Sequence, residues 1–165
     1  MNETTITRQI MKDWKRQNGS SLWSYKIPDP RFGSETNDRA VDIVACYDGV
    51  FIGIEWKITK NSRALPIDGC GSVRLGQLAT LCDIEAAGGI GFVAVVVYHG
   101  PHDKCVYMVP IFDWNRMVAV IDTKSVHVEK VFPQWKIVQR RVGPLIHWDF
   151  QTIERYIDAR RHRTT

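Results

Sequence analysis

The sequence predicts an α/β fold in which helices flank a mixed sheet. Three observations carry that expectation. "VDIVACYDGVFIGIEWK", Val41 to Lys57, reads as a tight hairpin; "IGFVAVVVY" is nearly all apolar and β-branched, the pattern of a strand buried on both faces; and segments of helical spacing stand before, between and after them. A chain of 165 residues with 44% hydrophobic content can bury one sizeable core, so residues 1–165 are read as a single domain.

The elements follow in order. From about Thr5 to Gln17, Ile6, Ile10, Met11 and Trp14 recur at helical spacing, and Asn18-Gly19 is a stop signal. "SLWSYKI" reads as a strand and "PDPRFGSETNDR" as a loop. After the hairpin, "ITKNSRALPIDGCGS" has several glycine and proline breaks and reads as a mobile connection. Val73 to Ala87 carries Leu75, Leu78, Leu81, Cys82 and Ile84 on a helical pattern closed by Gly88-Gly89. The apolar strand comes next and is expected at the centre of the sheet. "KCVYMVPI" is a further strand, and "DWNRMVAVI" a short helix with Asp113 as its candidate cap. Residues 124–142 are ambiguous, with a strand pair as one reading; "DFQTIERYIDARR" reads as a last helix started by Asp149.

The hairpin raises a chemical question. Asp48-Gly49 favours the mirror-image two-residue turn, which sets the register: Tyr47 faces Val50 and, counting back along both strands, Asp42 faces Glu55. Like charges directly opposed on neighbouring strands destabilise a sheet. Lys57 lies two residues beyond Glu55 on the same face, while Ile52, Ile54 and Trp56 share the other. A charged trio at the end of an otherwise apolar ladder reads as a surface salt bridge or as the holder of a compensating cation. Hard Mg²⁺ is bound in that way, through one or two carboxylates, water and substrate phosphate.

Composition narrows the partners. The amphipathic start "MNETTITRQIMKDWKRQ" lacks the apolar core of a signal peptide, and no window has the length of a membrane span, so a soluble cytoplasmic protein without membrane partners is expected. Cys46, Cys70, Cys82 and Cys105 are widely spaced and read as reduced thiols. The net charge is +4, and the segment 134–165, with Lys136, Arg140, Arg141, Arg155, Arg160, Arg161 and Arg163 against Asp149, Glu154 and Asp158, holds all of the excess. A basic tail of this kind suits a phosphate backbone, although solvation alone also accounts for such runs. His99, His102 and Cys105 form a superficially zinc-like set that lacks a fourth ligand at standard spacing. Trp114, Trp135 and Trp148 read as core residues rather than base-stacking platforms. No phosphate-binding glycine loop, nucleophile elbow or dinucleotide fingerprint is present, so no organic cofactor is expected.

Asp42 followed after a hairpin by "EWK", with Glu55 and Lys57, resembles the core motif of the PD-(D/E)XK nuclease superfamily, with Val41 where the motif has proline. The order helix, strand, hairpin, helix, strand is similar to the superfamily's core. "RLGQLATLCDIEAAGGIGFVAVVVY", a helix glutamine followed by Gly-Gly and an apolar strand, is similar to the RecU-like branch of Holliday-junction resolvases. The resemblance spans roughly residues 3–98.

It implies a restriction-endonuclease-like fold and a metal-dependent DNA endonuclease acting on branched DNA, as a two-fold homodimer. Asp42 and Glu55 would hold Mg²⁺ or Mn²⁺, with the backbone carbonyl of Trp56 and, through water, Glu3. Lys57 would orient the attacking water and Gln77 would hold water or phosphate. Lys26, Arg74 and the tail residues Arg160 and Arg161 are the candidate DNA contacts, each also readable as solvated surface charge. Asp29 and Asp38, in the loop before Asp42, are further contributors to the site should the register slip. A flap, nick or duplex nuclease of the same fold, or a non-catalytic DNA-binding module, are the other readings.

Overall fold

The structure, a computed structural model, describes residues 3–28, 40–60, 64–67, 73–100, 103–142 and 145–162. The chain forms α1 (Glu3–Asn18), β1 (Leu22–Lys26), β2 (Ile43–Tyr47), β3 (Val50–Lys60), β4 (Leu65–Pro66), α2 (Leu75–Ala86), β5 (Ile90–Gly100) and β6 (Asp103–Pro110). It continues with α3 (Ile111–Val120), β7 (Ser125–Val126), α4 (Val128–Val131), β8 (Lys136–Val142), β9 (Leu145–Asp149) and α5 (Gln151–Arg161).

Seven strands form one sheet in the order β1-β2-β3-β5-β6-β8-β9. The pair β3 and β5 is parallel and the other neighbours are antiparallel, so the sheet is mixed and β5 is its central strand. Parallel neighbours need a crossover, which α2 supplies. Ile90 to Val97 are all buried, as a strand covered on both faces must be.

Strand alternation sorts the sheet into two faces. Ile43, Ala45, Ile52, Ile54, Trp56, Phe92, Ala94 and Val96 join the core beneath α1 and α5, where the Trp14 ring stacks on Phe150 at 4.8 Å. Val93, Val95, Val97, Tyr107 and Val109 pack with residues of α2, α3 and α4 on the other face. There α2 lies close. Gly53 and Gly91 are register partners, and a Cβ on Gly91 would stand 2.8 Å from the Leu81 carbonyl oxygen. A Cβ on Gly53 would strike the Ile84 side chain. Two facing glycines thus let the helix backbone settle onto the sheet.

Several expectations are corrected. The mobile connection after Lys57 does not begin there: β3 runs on to Lys60, held by its pairing with β5 as far as Tyr98, and Leu65–Pro66 pairs with Ser125–Val126. Asp113 is not a cap. It lies in the first turn of α3 and accepts a 2.7 Å hydrogen bond from the Trp135 indole. The last helix starts two residues after Asp149, which closes β9 and accepts the Gln151 N–H. Within 124–142 the chain forms β7, α4 and β8, and β8 pairs with β6 on one side and β9 on the other rather than with a strand of its own segment. Trp114 and Trp148 are buried as expected. Among the described residues, no helix is long and apolar enough to cross a membrane.

Candidate active site

Asp48 and Gly49 both take positive φ, 45° and 84°, as the mirror-image turn requires, and the ladder from Tyr47↔Val50 to Ile43↔Ile54 holds the predicted register. One step further, the Asp42 N–H donates to the Ile54 carbonyl at 3.1 Å and the Trp56 N–H donates to Asp42 Oδ2 at 2.8 Å. Asp42 and Glu55 therefore share a face, the one beneath α2. Both are buried, Glu55 completely.

Lys57 offsets the charge of this pair only in part. Lys57 Nζ lies 2.5 Å from Glu55 Oε1, whereas Oε2 is buried and, the neighbouring Asp42 carboxyl aside, meets no hydrogen-bond donor among the described residues. Burial, and then the charge of Asp42, push the Glu55 carboxyl up to about 7 against the opposing pull of Lys57. Asp13 provides the contrast. It too is buried, but its Oδ2 accepts the Trp148 N–H at 2.7 Å and the Gln17 amide at 3.1 Å, and its Oδ1 contacts Arg16. An orphaned oxygen beside a second carboxylate and an ammonium is a donor set that suits a small hard cation.

Gln77 occupies the third position of α2, where its Oε1 accepts the Arg74 N–H at 3.1 Å and so helps close the helix start. Leu81 contacts the position of Gly53. One helical turn back from Leu81 covers about 6 Å and two strand residues on from Gly53 about 6.6 Å, which sets Gln77 over Glu55. Arg74 is exposed at the same helix end.

Other candidates lie elsewhere. Lys26 pairs with Ile43, so it belongs to the α1 face, where it lines a groove with Thr7, Arg8, Lys12 and Lys15. Arg160 pairs with Glu85, and with Arg161 borders a pocket of about 470 Å³ at Gly49, Phe51 and Gly88. Phe51 is four residues from Glu55, about 13 Å along the strand. Glu3 is the first residue of α1, and its side chain lies outside the described residues, as do Asp29, Asp38 and Cys70. Not foreseen was the exposure of Trp23 and Tyr25, each 52%, which stack on edge strand β1 on the same face as Asp42. Their alternation with Leu22, Ser24 and Lys26 marked a two-sided strand, but not which side would stay open.

No protein-family model and no curated protein sequence matches the chain. Among solved structures it is similar to Hjc, a Holliday junction resolvase from the archaeal hyperthermophile Archaeoglobus fulgidus, at 15% identity over 76% of this chain and 91% of that one, with a TM-score of 0.47. A likeness of that degree concerns the course of the chain and leaves the chemistry to be argued from the residues.

Proposed function

We propose that this protein is a metal-dependent DNA endonuclease of restriction-endonuclease-like fold, cutting branched DNA as a cytoplasmic homodimer, with the RecU-like resolvases as the branch its sequence resembles. The observation that carries the reading is the buried pair Asp42 and Glu55, opposed across a hairpin, with an unsatisfied Glu55 oxygen beside Lys57. A scaffold hairpin has no use for such a pair.

Asp42 and Glu55 would hold Mg²⁺ or Mn²⁺ together with the Trp56 carbonyl and Glu3; the cation supplies Lewis acidity at the phosphate and a more acidic water. Asp42 is kept in place by the Trp56 N–H. Lys57, fixed against Glu55, orients the attacking water and offsets negative charge growing on the phosphoryl oxygens. Gln77 has its oxygen engaged by the helix start, so its amide N–H groups are the end that holds water or phosphate. Arg74 lies where a phosphate next to the cut would pass. Lys26 on the α1 face and Arg161 beyond the hairpin turn lie away from the acids, which favours a substrate whose arms leave in several directions. A four-way junction has that shape, and its two equivalent strands suit a two-fold dimer.

Incubation of the purified protein with four-way, flap, nicked and linear DNA, with Mg²⁺, with Mn²⁺ and with chelator, tests this. Metal-dependent cutting of the four-way substrate in preference to the others is expected. Binding without cleavage of any substrate would make the protein a DNA-binding module, and equal cutting of linear duplex would remove the branched-DNA assignment.

A further inference from the structure

We propose that His99, Cys105 and Glu129 form a second metal site, one that takes Zn²⁺ or a similarly borderline-soft divalent cation. Their ligand atoms, an imidazole nitrogen, a thiol sulfur and a carboxylate oxygen, all lie within 4.8 Å of one another. His99 Nε2 is 3.0 Å from Glu129 Oε1. Neither the nuclease motif nor the reading built on it uses any of the three.

The fold brings them together from three elements. Cys105 on β6 faces Val97 on β5, and the register of this pair shifts between Tyr98 and Gly100, so His99 falls in a bulge. Bulges re-aim a side chain at the rim of a sheet. Glu129 comes from α4, which is seated on the same face through buried Val128 and the following Phe132. From sequence, only His99, His102 and Cys105 suggested a set; Glu129 is too distant in the chain to be paired with them by spacing, and His102 lies outside the described residues.

The donor types select the ion. Thiolate, imidazole and carboxylate bind zinc at about 2.0–2.3 Å, so a tetrahedral arrangement separates ligand atoms by roughly 3.5 Å, a contraction of about 1 Å from the observed spread. Hard Mg²⁺ and Ca²⁺ prefer oxygen alone. Three protein ligands leave a fourth position for water. On binding, Cys105 loses its thiol proton to solvent and the cation takes the place of the hydrogen bond between His99 and Glu129. Tyr107 supplies the outer support: it is buried and hydrogen-bonded to Cys105. A donor to the sulfur is the support that fixes a metal ligand.

Cys105 lies two strands from Lys57 and two residues further along the sheet, about 12 Å by strand geometry. One ion therefore cannot serve both places, and this site stands or falls independently of the nuclease reading. Its effect would be to tie the turn end of the β5–β6 hairpin to α4.

The test uses the untagged full chain carrying Asp42→Asn and Glu55→Gln, so that the acid pair does not compete for the ion. After chelation and desalting, the protein is loaded with Zn²⁺ alone and desalted again for metal analysis and thermal melting; a parallel sample receives Co²⁺ for absorption spectroscopy. One zinc per chain, a raised Tm and a thiolate-to-cobalt charge-transfer band are expected, with all three lost in Cys105→Ser and zinc retention reduced in Glu129→Gln. Zinc retention and a Tm shift that survive Cys105→Ser would overturn the proposal. So would the absence of the cobalt band in the folded parent, which decides the matter even if Cys105→Ser fails to fold.

Discussion

Two buried acids, one on each side of the sheet, show what burial does and does not mean here. Asp13 ties α1 to β9 and has its oxygens filled by Trp148, Gln17 and Arg16. Glu55, on the α2 side, faces a second carboxylate and, that group aside, keeps an oxygen without a donor among the described residues. The first is fastening, since every buried acceptor has found its donor. The second costs free energy in the folded chain, because an ionised carboxylate in a dry site beside a like charge is disfavoured. The same asymmetry runs through the whole sheet: the α1 and α5 face of β2, β3 and β5 is apolar, and the opposite face carries Asp42, Glu55, Lys57 and His99.

The sharpest way to break the comparison is activity. Asp42→Asn or Glu55→Gln should lower DNA cleavage by roughly a hundred- to a thousandfold or more, whereas Asp13→Asn should leave it near the parent value. Equal losses in all three variants would reduce Glu55 to a second fastening point. Next comes pH. The unfolded Glu55 titrates near 4.5 and the folded one near 7, so in that window the native state binds more protons than the unfolded state. Metal-free stability from this group should therefore be fully present below pH 4.5 and be lost as pH rises through about 7, by on the order of 3 kcal/mol. Denaturant melts in chelator at pH 5, 6 and 8 measure it, and Glu55→Gln should flatten the slope; a parent slope of opposite sign would mean that Glu55 is already ionised at pH 5.

Smaller effects sharpen the same contrast. Asp13→Ala leaves the Trp148 N–H without its acceptor and should cost about 1–3 kcal/mol, while Glu55→Gln at pH 8 without metal should cost nothing. Comparable destabilisation in both would erase the distinction between them. Smallest of all, Asp42→Asn keeps an oxygen for the Trp56 N–H and removes the like charge, so it should raise metal-free stability by about 0.2–1 kcal/mol. A clear loss in chelator melts would recast Asp42 as a structural partner of Lys57.

The hairpin that carries the acid pair was legible because its determinants are local. Asp48-Gly49 fixes the register and the register alone places Asp42 opposite Glu55. The central strand and the three long helices were legible for a similar reason, each carrying its own period. What escaped is set by distant contacts. β9 and the extension of β3 exist because a neighbour strand is there to pair with them. Glu129 reaches His99 from α4, thirty residues on in the chain, and Lys26 points away from the acids because its partner on β2 is Ile43 rather than Val44. A pattern of period two tells that a strand has two faces; only the packed molecule tells which is which.

The two-residue turn has one more consequence, and it concerns time rather than energy. It joins Asp42 and Glu55 through a short loop, whereas the parallel neighbour of β3 arrives only after α2 has crossed over. Short-range pairings close early and crossovers late. The repulsion between the acids is thus expected to act on the way up to the folding barrier, so that relieving it with Asp42→Asn quickens refolding and hardly changes the unfolding rate. Stopped-flow refolding and unfolding in chelator read the two limbs separately, and a change confined to the unfolding limb would place the hairpin late. In the expected order, the chain brings its two acids together before the core that encloses them.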